Sequence, residues 1–229
     1  MTYLTPRYVI IAAGGSGSRF NSSLPKQFVE LEGIPMLMRT MEAFDQAISN
    51  IQVILVLPTE HVHLWAELQK KYQFNISHQV ITGGETRFNS VKNGLDAIGD
   101  EEGFVAIHDG VRPLISKELI RSAFRAAEEK GNAIPVIKVN DSLRKVDGDL
   151  NTPINRDDFR VVQTPQCFAL SVIKKSFKQS YSPEFTDEAS VVESTGEAIH
   201  LIKGESINIK ITTPADLLIA ESFYKGSLR

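Results

Sequence analysis

Apolar runs alternate along this chain with segments whose apolar residues are spaced like one face of a helix. Runs such as Arg7–Ala13 and Gln52–Leu57 have the length and β-branched content of a buried strand. Pro35–Ile48 and Lys117–Lys130 instead repeat apolar residues every three to four positions, as an amphipathic helix does. Such alternation requires crossover connections. It therefore predicts an α/β fold with a mostly parallel, twisted sheet that helices cover on both faces.

The same criteria predict the other elements of the fold. Further strands are expected at Ser77–Ile81, Phe104–His108, Ala133–Ile137, near His200–Ile202 and at Asn208–Ile211. Further helices are expected at His61–Tyr72, Arg87–Ile98, Leu170–Tyr181, Asp187–Thr195 and Pro214–Tyr224.

Residues 139–163 interrupt this alternation. The segment Ser142–Val146 is followed by Asp147-Gly148-Asp149 and then by a second extended run from Leu150, which is the pattern of a β-hairpin. Its apolar content is too low for a separate domain. We therefore predict one domain over residues 1–229, from which residues 139–163 protrude as an arm that packs on a second copy of the chain.

Composition limits the class of protein. A chain of 229 residues with a net charge of −3 is long enough for one sizeable domain, and its charge argues against broad nucleic-acid or anionic-membrane binding. The first apolar run stops at Gly14, which is too short for a membrane span. Cys167 is the single cysteine, so no internal disulfide can form. A cytoplasmic protein is expected.

In parallel α/β sheets, ligands bind at the carboxyl ends of the strands. The loop after the first strand reads Ala12-Ala13-Gly14-Gly15-Ser-Gly-Ser-Arg19 and is followed by Pro25-Lys26-Gln27. It lacks the Gly-Lys-Ser/Thr of a P-loop, and Phe20 stands where a dinucleotide fingerprint has its third glycine. The sequence thus predicts a glycine-rich phosphate loop with two cations, and a tight strand-exit turn is the alternative.

Two later loops lie at the same sheet edge. Gly83-Gly84-Glu85-Thr86-Arg87 joins a strand to a helix, and on its own it is more typical of a turn and helix cap than of a binding site. His108-Asp109-Gly110-Val111-Arg112-Pro113 places an aspartate at a strand end. This aspartate suits a polar substrate or a metal, and an internal Asp109–Arg112 ion pair is the alternative.

Six motifs occur here in a specific order. They are the two glycine-rich loops with Pro-Lys-Gln, the His-Asp-Gly-Val-Arg-Pro segment, Gln163-Thr-Pro-Gln166, Thr186-Asp-Glu-Ala-Ser190 and Asn208-Ile-Lys-Ile-Thr212. From Val9 to Ala220 the chain resembles the 2-C-methyl-D-erythritol 4-phosphate cytidylyltransferases of the nucleotidyltransferase superfamily. The resemblance implies a Rossmann-like nucleotidyltransferase fold. It also implies transfer of the cytidylyl group of CTP to 2-C-methyl-D-erythritol 4-phosphate, with release of pyrophosphate, in non-mevalonate isoprenoid biosynthesis.

The resemblance also implies roles for individual residues. The catalytic cations would be Arg19, Lys26, Arg156 and Lys210. The nucleotide would be bound by Ala12, Ala13, Gly14, Gly15, Gly84, Arg87, Ser90 and Gly110. The methylerythritol phosphate would be bound by Asp109, Arg112, Ser142, Thr164 and Thr186. Ser142 and Arg156 lie on the arm, so they would reach the substrate phosphate across a homodimer.

This reaction needs charge stabilisation more than proton transfer. The attacking phosphate monoester has its second pKa at about 6, so it is largely dianionic near neutral pH without a general base. Bringing two anions together requires several cations and a Mg²⁺ ion on the triphosphate. We expect substrate phosphates to hold most of that ion's coordination sphere, and we assign no protein ligand to it.

Other functions remain open at this stage. A ribitol-5-phosphate cytidylyltransferase shares the first loop, and Ser142 and Gly110-Val111 stand where threonine and Ala-Ala are commoner in the erythritol family. The Thr186–Ser190 segment favours the erythritol substrate. A non-catalytic nucleotide sensor would have no need of the cation set. Asp147-Gly-Asp149 matches the metal motif of nucleotide-sugar glycosyltransferases, but a hairpin turn explains it better.

Overall fold

The strands of this computed structural model, which describes residues 5–15, 20, 24–99 and 102–227, follow the predicted alternation. In chain order they are β1 (Arg7–Ala12), β2 (Glu30–Leu31), β3 (Ile34–Pro35), β4 (Gln52–Leu57), β5 (His78–Thr82), β6 (Phe104–Asp109), β7 (Asn132–Lys138), β8 (Leu143–Asp147), β9 (Leu150–Ile154), β10 (Arg160–Val162), β11 (Gln166–Ala169) and β12 (Leu201–Lys203). The helices are α1 (Met36–Ala47), α2 (Thr59–Lys71), α3 (Arg87–Asp96), α4 (Lys117–Lys130), α5 (Leu170–Ser176), α6 (Glu188–Glu193) and α7 (Pro214–Ser227).

The main sheet has the strand order β10-β7-β11-β6-β1-β4-β5, and β12 also pairs with β7. Strands β6, β1, β4 and β5 run parallel to one another. Strand β11 lies antiparallel between β6 and β7, and β10 is antiparallel to β7. The predicted α/β fold with a mostly parallel sheet is confirmed.

Helices cover both faces of this sheet because its central strands are apolar on both sides. Along β1, Val9 and Ile11 belong to the core that α1, α2 and α4 close. The alternate residues Tyr8 and Ile10 belong to the opposite core, closed by α3, α5 and α6. Successive side chains of a strand point to opposite faces, so a continuous apolar run requires two covering layers.

The predicted strand at Asn208–Ile211 is wrong. This segment makes a single backbone bond to the body of the fold near its end, from Ile211 N–H to the Val111 carbonyl. The Asn208 side chain instead donates to the Thr164 carbonyl at 2.8 Å. Anchoring by the Asn208 side chain replaces a strand ladder here, and Lys210, two residues later, lies beside Asp109 at the sheet edge.

The arm has the predicted hairpin form. Within the described part of the chain, β8 and β9 pair only with each other, and Gly148 takes a positive φ of 57° in the two-residue turn between them. Near the tip, Val146 and Leu150 are 69% and 75% exposed. Two apolar side chains are thus presented to solvent at the end of a two-stranded ribbon.

None of the helices in the described ranges has both the length and the apolarity that crossing a bilayer requires.

Candidate active site

The carboxyl ends of β1, β4, β5 and β6 open into a cavity of about 490 Å³. Ten of the residues expected in the site line it: Ala12, Ala13, Gly14, Gly15, Lys26, Gly84, Arg87, Ser90, Asp109 and Lys210. They come from four separate loops and one distant segment. The fold therefore gathers most of the predicted nucleotide cradle in one place.

Lys26 lies directly over the first glycine-rich loop. A side chain on Gly15 would place its Cβ 3.3 Å from the Lys26 Cε atom, so a glycine lets this lysine lie close to the loop backbone. Lys26 begins a short 3-10 turn, Lys26–Phe28. Its neighbour Gln27 is buried and donates from Nε2 to the Ala13 carbonyl at 2.8 Å. Arg19, the other predicted cation of this loop, lies outside the described residues.

The second loop is held in shape by its own side chains. Gly84 N–H donates to Ser90 Oγ at 3.1 Å, and Thr86 Oγ1 caps α3 by accepting from Asn89 N–H. A Cβ on Gly84 would lie 2.4 Å from the Cβ of Asn89, so no other residue fits there without movement of the loop. Ser90 thus positions the loop that lines the cavity.

Gly110 lies behind the cavity rather than on its wall. Its N–H donates to the Ala12 carbonyl at 3.0 Å and so continues the link between β6 and β1. A Cβ at this position would come within 3.1 Å of the Ala13 Cβ and 3.0 Å of Leu37 Cδ1. The glycine is therefore explained by packing under the first loop.

Three cations surround the carboxylate of Asp109. Arg112 Nε and Lys210 Nζ each lie 3.1 Å from Oδ2, and Arg87 Nη2 lies 3.4 Å from Oδ1. Burial alone raises the pKa of Asp109, but Arg87, Lys210 and Arg112 outweigh burial and hold the pKa well below its ordinary value. Asp109 is ionised at any pH at which the protein functions.

A second cavity of about 270 Å³ adjoins this carboxylate. Of the residues expected to bind the polyol phosphate, Asp109, Arg112, Thr164 and Thr186 line it. Arg87, Asp109 and Lys210 line both cavities, so the boundary between the two consists of two cations and one carboxylate.

The hydroxyl of Thr164 is part of a buried network. It accepts from Asp109 N–H at 3.2 Å and lies 3.0 Å from Nδ1 of the fully buried His108. Burial lowers the pKa of His108 to about 3, so the ring is neutral. If Nε2 carries the proton toward the Arg112 carbonyl at 3.3 Å, Nδ1 accepts from Thr164. Thr164 then has only a lone pair left for a ligand.

The Thr186–Ser190 segment forms the start of α6. Asp187, rather than Thr186, is the N-cap, and it forms a capping box with Ser190. Thr186 is exposed at the rim of the smaller cavity. Glu188, the first residue of the helix, is 3% exposed in its side chain and pairs with Arg87.

Comparison with known proteins decides which family has this arrangement. The family model for 2-C-methyl-D-erythritol 4-phosphate cytidylyltransferase (IspD) matches residues 8–225. The chain belongs to this family.

Individual IspD relatives agree with this assignment. A protein of Phocaeicola vulgatus named 2-C-methyl-D-erythritol 4-phosphate cytidylyltransferase is 46% identical over 94% of this chain and 98% of its own length. Among solved structures, the 4-diphosphocytidyl-2C-methyl-D-erythritol synthase of Anaerococcus prevotii is 28% identical with a TM-score of 0.80, covering 96% of this chain and 98% of its own. The IspD of Francisella tularensis is 29% identical with a TM-score of 0.79, covering 95% and 99%.

Two residues that the IspD resemblance places in the site lie apart from it in a single subunit. Ser142 and Arg156 are exposed on the arm, and neither lines a cavity with the other predicted residues. Arg156 Nη1 donates to the Asn140 carbonyl, also on the arm. Their roles as substrate contacts stay predictions.

The site of this IspD member also includes residues to which the sequence analysis gave no role. Gln27, Thr59 and Glu60 line the larger cavity, and Gln163, Gln166 and Asp187 line the smaller one. Gln27, Gln163, Gln166 and Asp187 stood inside the recognised motifs, so their position was a usable signal. Thr59 and Glu60 begin α2 after Pro58 and carried no such signal.

The carboxylates of the site do not form a metal cage. Within the described ranges no group of three or more His, Cys, Asp or Glu side chains is placed to hold a metal ion. Asp109, the carboxylate at the centre, already faces three cations.

Proposed function

We propose that this chain transfers the cytidylyl group of CTP to 2-C-methyl-D-erythritol 4-phosphate and releases pyrophosphate, as expected of an IspD enzyme of isoprenoid biosynthesis. The observation that carries the proposal is the pair of adjoining cavities, which share Arg87, Asp109 and Lys210 as a common wall. A transferase that joins two phosphorylated substrates needs two such compartments with positive charge between them.

The larger cavity takes CTP in this proposal. The backbone from Ala12 to Gly15 and the Gly84 loop hold the nucleotide, and Lys26 faces the triphosphate with Arg19. The smaller cavity takes the polyol, whose hydroxyls bind Asp109 and the Thr164 hydroxyl, while Thr186 and Lys210 hold its phosphate. The neutral His108 supports Thr164 and does not act as a general base.

The chemical step then requires that the reacting groups are aligned and that the developing negative charge is stabilised. An oxygen of the polyol phosphate attacks the α-phosphorus of CTP, and the bond to the β-phosphate oxygen breaks. The attacking group is already a dianion, so no proton has to be removed. Lys26 and Lys210 stabilise the charge that accumulates on the transferring group, an effect worth about 10²–10³ in turnover for a single donor in comparable sites.

A Mg²⁺ ion is part of the proposal. It would neutralise triphosphate charge and orient the leaving pyrophosphate. Its ligands would be mainly phosphate oxygens, because Asp109 is already engaged by cations. Chelation of divalent ions is expected to abolish turnover, and added Mg²⁺ is expected to restore it.

The proposal also includes a homodimer that forms through the arm. A two-stranded hairpin is only marginally stable alone in water, and the exposed Val146 and Leu150 at its tip suit contact with a second copy. Arg156 would then reach the phosphate of the polyol in the partner's site. A cytoplasmic location is also part of the proposal, because CTP is available there and Cys167 is an unpaired thiol.

Product analysis tests the main proposal. The protein is incubated with CTP, Mg²⁺ and either 2-C-methyl-D-erythritol 4-phosphate or ribitol 5-phosphate, and pyrophosphate and the nucleotide product are measured. Turnover that strongly favours the erythritol substrate is expected. Preferential use of ribitol 5-phosphate would assign the alternative acceptor. CTP binding without turnover on either substrate would instead identify a nucleotide sensor.

Subunit mixing tests the arm. Arg156→Ala and Lys26→Ala homodimers are each expected to be inactive. If Arg156 acts across the dimer, a heterodimer of the two variants contains one intact site and regains part of the activity. No recovery after confirmed subunit exchange would place Arg156 in the site of its own subunit.

A further inference from the structure

Glu188 and Asp109 compete for one guanidinium. Arg87 Nη1 pairs with Glu188 Oε1, while Arg87 Nη2 lies 3.4 Å from Asp109 Oδ1. An unopposed arginine and carboxylate typically form two parallel bonds with N–O distances of about 2.7–2.9 Å. The contact between Arg87 and Asp109 is longer than that and single. Arg87 is therefore held mainly by Glu188.

The start of α6 holds Glu188 in place beside Arg87. It is buried at the first position of α6, where Asp187 and Ser190 form the capping box. Gln166 ties this helix start to β11, since its Nε2 donates to Asp187 Oδ2 and its Oε1 accepts from Ala189 N–H. The side chain that grips Arg87 cannot easily follow it toward the cavity.

The two oxygens of Asp109 are unequally occupied. Oδ2 receives both Arg112 and Lys210 at 3.1 Å, whereas the long contact with Arg87 is the only ion pair of Oδ1 among the described residues. A carboxylate oxygen can accept two hydrogen bonds. Oδ1 is therefore the oxygen with capacity for a hydroxyl of a ligand in the smaller cavity, provided that Arg87 does not close on it.

We propose that Glu188 is a positioning residue that holds Arg87 away from Asp109 Oδ1 and so keeps this oxygen available to a hydroxyl of the polyol. This inference rests on the proposed function, because it needs a hydroxylated acceptor in the smaller cavity. Without the charge of Glu188, the strongest acceptor left to Arg87 is Asp109. The carboxylate of Asp187 is already committed to Ser190 N–H and the Gln166 amide.

The test is Glu188→Gln, which keeps the shape of the side chain and removes its charge. Wild-type turnover with CTP and 2-C-methyl-D-erythritol 4-phosphate is measured first, and its absence would contradict the proposed function rather than this inference. In Glu188→Gln, the KM for the polyol phosphate is expected to rise about tenfold or more, as for loss of a hydrogen bond to a charged group. The KM for CTP and the turnover at saturating substrate are expected to change less than about threefold, because Glu188→Gln removes no contact made by CTP or by the transferring phosphate.

A double variant separates positioning from structural support. In Arg87→Met/Glu188→Gln, no guanidinium can close on Asp109, so the KM for the polyol phosphate is expected to fall below that of Glu188→Gln. The KM for CTP rises in this double variant because Arg87 also lines the nucleotide cavity. If Glu188 served only as support, the second substitution would leave the polyol KM unchanged or raise it further.

A second single variant covers the case in which Glu188→Gln does not fold. Glu188→Asp keeps the charge but shortens its reach, so an intermediate increase of the polyol KM is expected. An unchanged polyol KM in folded Glu188→Gln or Glu188→Asp would overturn the proposal. So would an equal rise of both KM values, or a fall of turnover alone.

Discussion

Several single residues of this site matter because of how they place a neighbouring side chain. Gly15 has no side chain, and Lys26 therefore lies within van der Waals reach of its backbone. His108 is neutral because burial removes it from water, and its Nδ1 fixes the direction of the Thr164 hydroxyl. Each of these residues acts through a neighbour.

The first prediction concerns Lys26. Lys26→Ala is expected to lower turnover at least about a hundredfold, because it removes a cation next to the transferring phosphate. Pyrophosphate release with saturating substrates measures this. Lys178→Ala, at an exposed lysine far along the chain, is the matched control and should retain full turnover. Near-normal turnover of Lys26→Ala would contradict the catalytic role given to this residue.

The second prediction concerns His108 and pH. Its pKa is about 3 in the folded protein and 6.5 ordinarily, so the unfolded chain binds the extra proton first as pH falls. The contribution of neutral His108 to the free energy of unfolding is therefore present above pH 6.5 and is lost as the pH falls toward 3. Between pH 6.5 and 5 the expected loss is about 2 kcal/mol.

Urea unfolding at several pH values checks the prediction for His108. His108→Asn removes the titrating ring, so its free energy of unfolding should vary less across this interval than that of the wild type. Equal pH dependence in the two proteins would show that other groups cause the loss.

At the scale of elements, local periodicity predicted those helices and strands whose bounds depend on residues close together in the sequence. The strand Gln52–Leu57 and the helix Lys117–Lys130 have the predicted bounds, because an apolar run or an amphipathic face of that length is decisive. Strand β11 was not predicted. Its four residues pair with β6 and β7, which lie far away in sequence, and they show no alternation that distinguishes them from a loop.

The residues of the candidate site likewise divide into those that the sequence could predict and those that depend on contacts between distant segments. Residues within recognised motifs were predicted, including ten that line the larger cavity. The opposition of Glu188 and Asp109 around Arg87 could not be predicted, since it joins three separate segments. Spacing along a chain carries no information about which of two carboxylates an arginine approaches more closely.

The third prediction concerns the loop between β5 and α3. Gly84→Ala would place a Cβ 2.4 Å from that of Asn89, so the loop must move. We expect the KM for CTP to rise at least tenfold and the free energy of unfolding to fall by about 1–3 kcal/mol. Gly99→Ala, where no atom lies within 4 Å of the added Cβ, is the control and should change neither quantity.

At the scale of the whole molecule, the body and the arm differ in how they are stabilised. The body has a core on each face of the sheet and a third, smaller cluster around Leu31 and Met36. The hairpin of the arm, β8 and β9, has only its own ladder among the described contacts between strands, whereas β10, at the end of residues 139–163, pairs with β7 and so belongs to the main sheet. In the proposed homodimer, a second subunit would supply the burial that the hairpin lacks.

The fourth prediction tests that view. Val146→Glu/Leu150→Glu places two charges at the tip of the arm. If the proposed dimer forms there, this variant is expected to be monomeric at concentrations at which the wild type is dimeric. Light scattering coupled to size-exclusion chromatography measures the molar mass. Leu218→Glu, at a similarly exposed apolar position with 68% exposure, is the control and should remain dimeric. Dissociation of the control alone would move the interface from the arm to α7.

The position of β11 has a consequence for the order of folding. Strands β1, β4, β5 and β6 are complete once the chain has been synthesised to Asp109. Strand β7 joins them only through β11, which ends at Ala169. During synthesis the parallel half of the sheet can therefore pair early, whereas β7 and β10 must wait about 60 residues longer to join it. The ribosome thus delivers the four parallel strands first and β11, which ties β7 to them, only afterwards.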